Sequence, residues 1–107
     1  MFRKLLPFVK ESVKRVPRES GVYILYERSG QPVYVGRSRR NIRERLLCHL
    51  SQRGNRKIAM AIRQGIPLKF EYEPMISVEQ VEAVLIRELG TSRFYNLRRE
   101  TDPADWD

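Results

Sequence analysis

The chain has 107 residues, the usual size of one compact domain, and 41% hydrophobic with 32% charged residues is a globular rather than a disordered composition. Twenty-one Lys and Arg against thirteen Asp and Glu give a formal net charge of +8. This basic balance favours a polyanionic partner. Nucleic acid is favoured over an anionic membrane, because no segment resembles a basic amphipathic helix with an aromatic anchor.

The sequence also argues against membrane insertion and secretion. No apolar run approaches the roughly 18 residues of a membrane helix. Residues 1–14 lack the continuous apolar core and cleavage site of a signal peptide. Cys48 is the sole cysteine, so no internal disulfide can form. We therefore expect a cytoplasmic protein, with Cys48 as a small buried apolar residue.

The first predicted element is an N-terminal helix. Leu6, Val9, Val13 and Val16 recur at helical spacing, and Pro17 then interrupts the pattern.

A β-hairpin is predicted next. Residues 22–27 and 32–36 are rich in Val, Ile and Tyr, and they flank the turn signal Ser29-Gly30. Gly36 ends the second strand just before a basic run, where a backbone without a side chain would let a phosphate approach closely.

This hairpin predicts a specific arrangement of two tyrosines. A turn at Ser29-Gly30 sets Leu25 opposite Tyr34, and Tyr23 lies two residues from Leu25. Both phenols then fall on one sheet face as diagonal neighbours. For either tyrosine alone, an ordinary strand residue is the better interpretation.

The rest of the chain predicts three helices and one strand. In order they are a helix at about 41–52, a short helix around 58–62, a strand at 66–72, and a helix from the Ser77–Gln80 capping signature to about Leu89. We therefore predict an α/β fold, a small three-stranded antiparallel sheet flanked by helices.

Glu82 is conspicuous because its helical neighbours are Val78, Leu85 and Ile86. An ionised carboxylate in an apolar stripe needs a cation, a metal or several donors nearby. A structural salt bridge with an arginine and a functional role are both open at this point. A single Mg²⁺ that keeps most of its water could be held by one such carboxylate.

Arg45 and His49 are spaced i, i+4 and flank Ile42 on the helical wheel, at the edge of the buried face. Each could be structural, since a lone His is often a satisfied core residue and an Arg can snorkel. Together they could grip a phosphate. The sequence has no Walker-type glycine loop, no Cys/His zinc cluster and no HExxH motif.

Basic residues concentrate after the hairpin. Between residues 37 and 57 there is one acid, Glu44, and eight bases: Arg37, Arg39, Arg40, Arg43, Arg45, Arg53, Arg56 and Lys57. This run predicts a sequence-independent contact with a phosphate backbone.

Together these features resemble the GIY-YIG nuclease superfamily. Its paired motifs read here as Gly21-Val22-Tyr23 and Tyr34-Val35-Gly36. The family's helical arginine is matched by Arg45, its metal-binding glutamate by Glu82 and its late asparagine by Asn96. The interval before Arg45 is longer than in the excision-repair members, so Arg43 remains a rival.

The resemblance implies a metal-dependent endonuclease acting on DNA. Tyr34 would be the general base, with Tyr23 orienting the water or sharing the task. A free phenol has a pKa of about 10, so the site would have to lower it. Arg45 would stabilise the transition state, and Glu82 would hold one Mg²⁺ or Mn²⁺. His49 would relay a proton or hold Tyr34.

From the basic run we predict nucleic-acid contacts by Arg37, Arg39 and Arg40. The resemblance implies a phosphate contact or a bracing role for Asn96. We predict a basic N-terminal helical extension at 1–20, a GIY-YIG-like domain at 21–97 and an acidic tail at 98–107. A non-catalytic basic nucleic-acid-binding module on the same fold is the alternative, and a toxin or partner-directed subunit is a third class.

Overall fold

The structure, a computed structural model, describes residues 5–96, so the predicted acidic tail at 98–107 lies outside the described residues. The described elements are, in chain order, β1 (Leu6–Pro7), α1 (Lys10–Val13), β2 (Gly21–Glu27), β3 (Pro32–Ser38), α2 (Ile42–Leu50), α3 (Arg56–Arg63), β4 (Leu68–Pro74) and α4 (Val78–Leu89). A single 3-10 turn follows at Thr91–Arg93. The predicted α/β class with an antiparallel sheet and flanking helices is confirmed.

The sheet has four strands in the order β1-β4-β2-β3, so the prediction of three strands was wrong. The additional strand is β1, in which Leu6 pairs with Phe70 and Pro7 with Lys69. A two-residue strand gives almost no alternation in the sequence. Pro7 is tolerated there because β1 is an edge strand and needs few ladder donors.

The predicted N-terminal helix is correspondingly shorter than expected. Helix α1 covers only Lys10–Val13, and Val9, expected on its inner face, is 46% exposed. Val13 and Val16 are fully buried, and Phe8 joins the same core. The helical spacing of the valines therefore reflects a short helix followed by a turn that packs on the sheet.

The hairpin register agrees with the sequence prediction. Leu25 pairs with Tyr34, and the ladder continues with Tyr23 opposite Gly36. The loop contains Gly30 at φ 93°, a left-handed conformation that suits glycine. A register shift occurs between Leu25 and Tyr26, on the turn side of Tyr34, and therefore leaves the tyrosine pair in place.

The two faces of the sheet bury different helices, because successive strand side chains point to opposite sides. One face carries Tyr23, Leu25 and Tyr34 and packs with residues of the three helices α1, α2 and α3. The other face carries Val22 and Val35 and packs against α4. Strand β3 forms the sheet edge opposite β1, between these two layers.

Side-chain caps begin two of the helices. The side chain of Asn41 accepts from Glu44 N at 3.1 Å, and that of Asn55 accepts from Lys57 N and Ile58 N. Helix α4 begins after Ser77 as predicted, but Ser77 forms no side-chain cap bond, so the capping box itself is not formed. Among residues 5–96 no helix has the length and apolar character needed to cross a bilayer.

Candidate active site

Tyr23 and Tyr34 form the centre of the candidate site. Their side chains lie on one face of the sheet, with ring centroids 6.2 Å apart and planes inclined by 34°. Both tyrosines are fully buried in the core between the sheet and α2. The hairpin register alone sets this pairing, because Leu25 faces Tyr34 and Tyr23 is on the same side two residues earlier.

Gly36 makes room for one of these rings. A Cβ on Gly36 would overlap the phenol end of Tyr23, its cross-strand partner. From the sequence, the missing side chain of Gly36 was expected to let a phosphate approach closely. The structure instead fills that space with the Tyr23 ring, which explains why a glycine follows two residues after Tyr34.

His49 joins the two tyrosines from α2. Its Nε2 is 2.8 Å from Tyr23 Oη, and its ring lies edge-on to both phenols at centroid distances of 5.8 and 5.3 Å. Burial, and then the charge of Arg45, lower the pKa of His49 to about 3. His49 is therefore neutral at ordinary pH, with a proton on one nitrogen.

The backbone of Asn55 indicates which nitrogen carries that proton. Asn55 N–H donates to His49 Nδ1 at 3.4 Å, so Nδ1 is the acceptor nitrogen. The proton therefore lies on Nε2, which donates to Tyr23 Oη. Sequence reasoning missed Asn55 as part of this cluster, although an Asn before an apolar run is a cap signal.

Gly54 allows the backbone to pack closely against the ring of His49. A Cβ on Gly54 would overlap the His49 ring at Nδ1 and Cε1. Asn55 Nδ2 also donates to Tyr95 O at 2.9 Å, which ties the start of α3 to the chain after α4. The loop at 53–55 thus holds the imidazole in one orientation rather than only ending α2.

The structure separates the two rival arginines. Arg45 is 8% exposed and close enough to His49 for its charge to act on the imidazole. Arg43 points away, and its Nε donates to Val16 O at 2.7 Å. Arg43 is therefore engaged in holding the N-terminal segment, and Arg45 belongs to the tyrosine and histidine cluster.

Glu82 lies on α4, on the other side of strand β3 from the tyrosines. It is buried, and its Oε1 is 3.5 Å from Arg37 NH1. Arg37 is thus the cation that a buried carboxylate in an apolar stripe requires. One turn earlier, Glu79 forms an ion pair with exposed Arg39.

In the candidate site, Glu82 is the residue that could hold a divalent metal ion. Within residues 5–96 no three His, Cys, Asp or Glu side chains are grouped closely enough to hold an ion. A carboxylate oxygen is the ligand that Mg²⁺ prefers, and Mg²⁺ commonly binds one carboxylate and several waters. Glu82 therefore fits a hydrated ion but not a closed protein cage.

Asn96 braces the strand that carries Tyr34. Its Oδ1 accepts from Val35 N at 2.7 Å, and its Nδ2 donates to Val35 O at 2.9 Å. Both bonds are buried and form along the outer edge of β3. This geometry supports the bracing role that was one of the two options for Asn96.

Arg40 and Cys48 line an open cleft beside Arg45. Cys48 is half-buried at its wall, so the expectation of a buried apolar cysteine was wrong. It lies on the exposed side of α2 because the inner side is occupied by Ile42 and Leu46. Arg37 and Arg39 lie on the other side, toward α4.

Residues 19–96 match the GIY-YIG catalytic domain, and the chain belongs to the GIY-YIG family. The UvrABC system protein C of Dictyoglomus thermophilum is 40% identical over 43 residues, which are 40% of this chain and 7% of that protein. The likeness is therefore to a small part of that much longer relative. No solved structure matches the chain significantly.

Proposed function

We propose that the protein is an endonuclease that hydrolyses phosphodiester bonds in DNA with the help of a divalent metal ion, Mg²⁺ or Mn²⁺. The proposal is carried by one observation, the cluster of Tyr23, Tyr34, Arg45 and His49 that three elements bring together beneath an arginine-rich surface. Family membership and the local likeness to UvrABC system protein C support nuclease activity.

Tyr34 is the general base in this proposal. The oxygen of Tyr23 already accepts a bond from His49 Nε2–H, so one of its lone pairs is occupied. Tyr23, held by His49, orients the attacking water. Tyr34 removes a proton from that water, whose oxygen forms the new bond to phosphorus as the bond to the leaving oxygen breaks.

Arg45 supplies fixed positive charge at the cluster. A guanidinium held in a nearly water-free position stabilises the extra negative charge of the transition state, because no solvent has to reorganise. To act as the base, Tyr34 has to be in its phenolate form, which a neighbouring guanidinium would favour. His49 stays neutral and acts by positioning Tyr23 rather than by exchanging charge with solvent.

Glu82 holds the metal ion in this proposal. When bound, the ion would stabilise the negative charge that develops on the leaving oxygen. Arg37, 3.5 Å from Glu82, balances the carboxylate charge and contributes a guanidinium near the edge of β3. The tyrosine cluster and Glu82 then act on the substrate from the two sides of this edge strand.

A non-catalytic nucleic-acid-binding module is the second candidate, and one observation favours it. The Arg37–Glu82 pair explains a buried carboxylate without any metal. Burial of Glu82 therefore does not by itself separate an enzyme from a binder. The tyrosine cluster favours the enzyme, because binding a phosphate backbone does not require two buried phenols and an imidazole.

The test is cleavage of end-labelled single-stranded, duplex and branched DNA, with and without Mg²⁺ or Mn²⁺. Glu82→Gln keeps the shape of the side chain and removes its charge, so cleavage should be lost while DNA binding is kept. Glu79→Gln is the matched control on the same helix, since Glu79 is exposed and pairs with Arg39.

Two results would overturn the proposal in different ways. If wild-type protein binds DNA but cuts none of the substrates with either ion, the binding module is correct. If Glu82→Gln cuts as fast as wild type in Mg²⁺, the protein is a nuclease but Glu82 does not hold its metal.

A further inference from the structure

An open cleft of about 500 Å³ lies beside the candidate site, between the end of β3 and the outer side of α2. Its walls are formed mainly by Ser38, Arg40, Asn41, Arg45, Cys48 and Arg53. Arg45 is shared with the tyrosine cluster, so the cleft begins where the scissile phosphate is proposed to bind. The roles of Ser38, Asn41, Cys48 and Arg53 do not follow from the proposed chemistry.

The polar groups in this cleft are arranged as hydrogen-bond donors. Ser38 Oγ accepts from Arg40 N at 3.2 Å and from Asn41 N at 2.8 Å, so the hydroxyl hydrogen remains available. Asn41 Oδ1 accepts from Glu44 N, and the amide nitrogen of Asn41 carries two further hydrogens. Both side chains line the cleft and have hydrogens that they can donate.

The charges point to an anion. Three guanidinium groups, of Arg40, Arg45 and Arg53, line the cleft against one carboxylate, Glu44, among its described residues. Arg53 Nε donates to Ser51 Oγ at 2.8 Å, which fixes the side chain near the end of α2. None of the lining residues, all within the described chain, is aromatic, so the cleft has no surface on which a base could stack.

We propose that this cleft binds the sugar-phosphate backbone of the strand next to the cleaved bond, without reading its bases. Donor-rich walls and arginines fit phosphodiester oxygens, while base recognition needs rings or acceptors at the base edges. The inference rests on the proposed function, because Arg45 is taken to contact the scissile phosphate. Arg53 is then a substrate-binding residue, and not a catalytic one.

Cys48 provides a direct probe, because it is the sole cysteine of the chain and lies in the cleft wall. We would measure its alkylation rate by iodoacetamide in EDTA, so that no cleavage occurs, with increasing concentrations of the oligonucleotides (dT)12 and (dC)12. Both should slow alkylation at least about fivefold at saturation. Normal alkylation when binding is saturated would overturn the proposal.

The matched variants are Arg53→Ala and Arg28→Ala. Arg28 is also exposed, but it lies in the hairpin loop at the far end of β3, about 20 Å from Ser38 along the strand. Loss of one charge-assisted phosphate contact at Arg53 should weaken binding roughly tenfold. It should raise KM without changing kcat, whereas Arg28→Ala should stay within twofold of wild type.

The outcomes keep this inference separate from the proposed activity. Protection of Cys48 in a protein that cuts no DNA would support the cleft and refute the nuclease. Cleavage by a protein whose Cys48 is not protected, and whose Arg53→Ala variant has wild-type KM, would refute the cleft and leave the nuclease standing. Protection by (dT)12 alone would show base reading and overturn the proposed sequence independence.

Discussion

The phenol of Tyr23 occupies the space where Gly36, directly across the hairpin, would carry a side chain. This places the Tyr23 oxygen within reach of His49 Nε2 at 2.8 Å. Gly36, the second glycine of the paired motifs, therefore makes room for the Tyr23 ring. It fixes the position of the Tyr23 oxygen, which the proposed mechanism uses.

Gly36→Ala should displace the Tyr23 ring. Cleavage is expected to fall at least about 100-fold, and the free energy of unfolding by about 1–3 kcal/mol, the usual cost of overpacking. Gly30→Ala is the control, because its strain at φ 93° costs about 1–2 kcal/mol but nothing lies within 4 Å of the new Cβ. Equal kcat for wild type and Gly36→Ala would contradict the packing role.

Arg45→Ala should mainly lower activity, whereas Arg43→Ala should mainly lower stability. Arg45→Ala removes charge from the cluster, so kcat should fall about 100- to 1,000-fold, without rescue by extra Mg²⁺. Arg43→Ala loses the bond to Val16 O and should cost about 1 kcal/mol of stability with little change in kcat. Kinetics and urea unfolding of both variants check this, and loss of kcat in Arg43→Ala alone would reverse the assignment.

The pH dependence of stability should reveal His49. Its pKa falls from an ordinary 6.5 to about 3 in the folded protein, so between these values the unfolded chain binds a proton that the folded chain does not. Stability is then complete above pH 6.5 and falls as the pH drops, by up to about 1.4 kcal/mol per unit. Urea unfolding between pH 5 and 6.5 should show this slope.

His49→Gln is the control for that measurement, since it keeps an amide near Tyr23 but does not titrate in this range. Its slope between pH 5 and 6.5 should be smaller than that of wild type. Identical slopes would mean that His49 titrates normally and that the imidazole is not held neutral. The cleavage rate of wild type should likewise show no break near pH 6.5 from this histidine.

The sequence predicted the tyrosine pairing because it depends only on local rules. A two-residue side-chain period and one turn decide which face Tyr23 and Tyr34 share. Likewise the i, i+4 spacing of Arg45 and His49 placed them together on one helix edge. The residues in each pair are close in the sequence, so the prediction holds even when the predicted ends of a strand or helix are wrong by a residue or two.

The partners that the sequence could not identify lie in distant segments. Arg37 meets Glu82 across 45 residues, and Asn96 meets Val35 across 61, and no local pattern marks either pair. Strand β1 was missed for a related reason, since two residues pair with β4 only after the whole sheet has formed. The two contacts and strand β1 all depend on how distant segments pack together, and not on local secondary-structure propensity.

Removing one hydroxyl at a time should rank the three tyrosines of the β2–β3 hairpin by their effect on cleavage. Tyr34→Phe removes the proposed base and should lower kcat by about 100- to 10,000-fold. Tyr23→Phe also leaves His49 Nε2–H without its acceptor, and should cost about 1–3 kcal/mol of stability in addition. Tyr26 lies on the opposite face and bonds to Glu71, with its pKa raised by burial and by that carboxylate, so Tyr26→Phe should cut normally.

Salt dependence of DNA binding should distinguish Arg40 from Arg39. Arg40→Gln should reduce the slope of log affinity against log salt by about 0.9 if one duplex phosphate contact is lost. Arg39→Gln should change it less, because Glu79 already offsets the Arg39 charge. Conversely, Glu79→Gln should tighten binding. If the affinity of the wild-type protein for DNA did not vary with salt concentration, contact with the phosphate backbone would be ruled out.

The two hydrogen bonds between Asn96 and Val35 also bear on whether copies of the protein aggregate. An edge strand offers unpaired N–H and C=O groups to any passing chain, which makes it a template for aggregation. Along β3, Asn96 fills both groups of Val35 with one amide, and Tyr95 N–H bonds to Val33 O. At Val33 and Val35 the strand that carries the proposed general base is thereby closed to pairing with a neighbour, so the side chain that braces this strand beside Tyr34 also protects part of its edge.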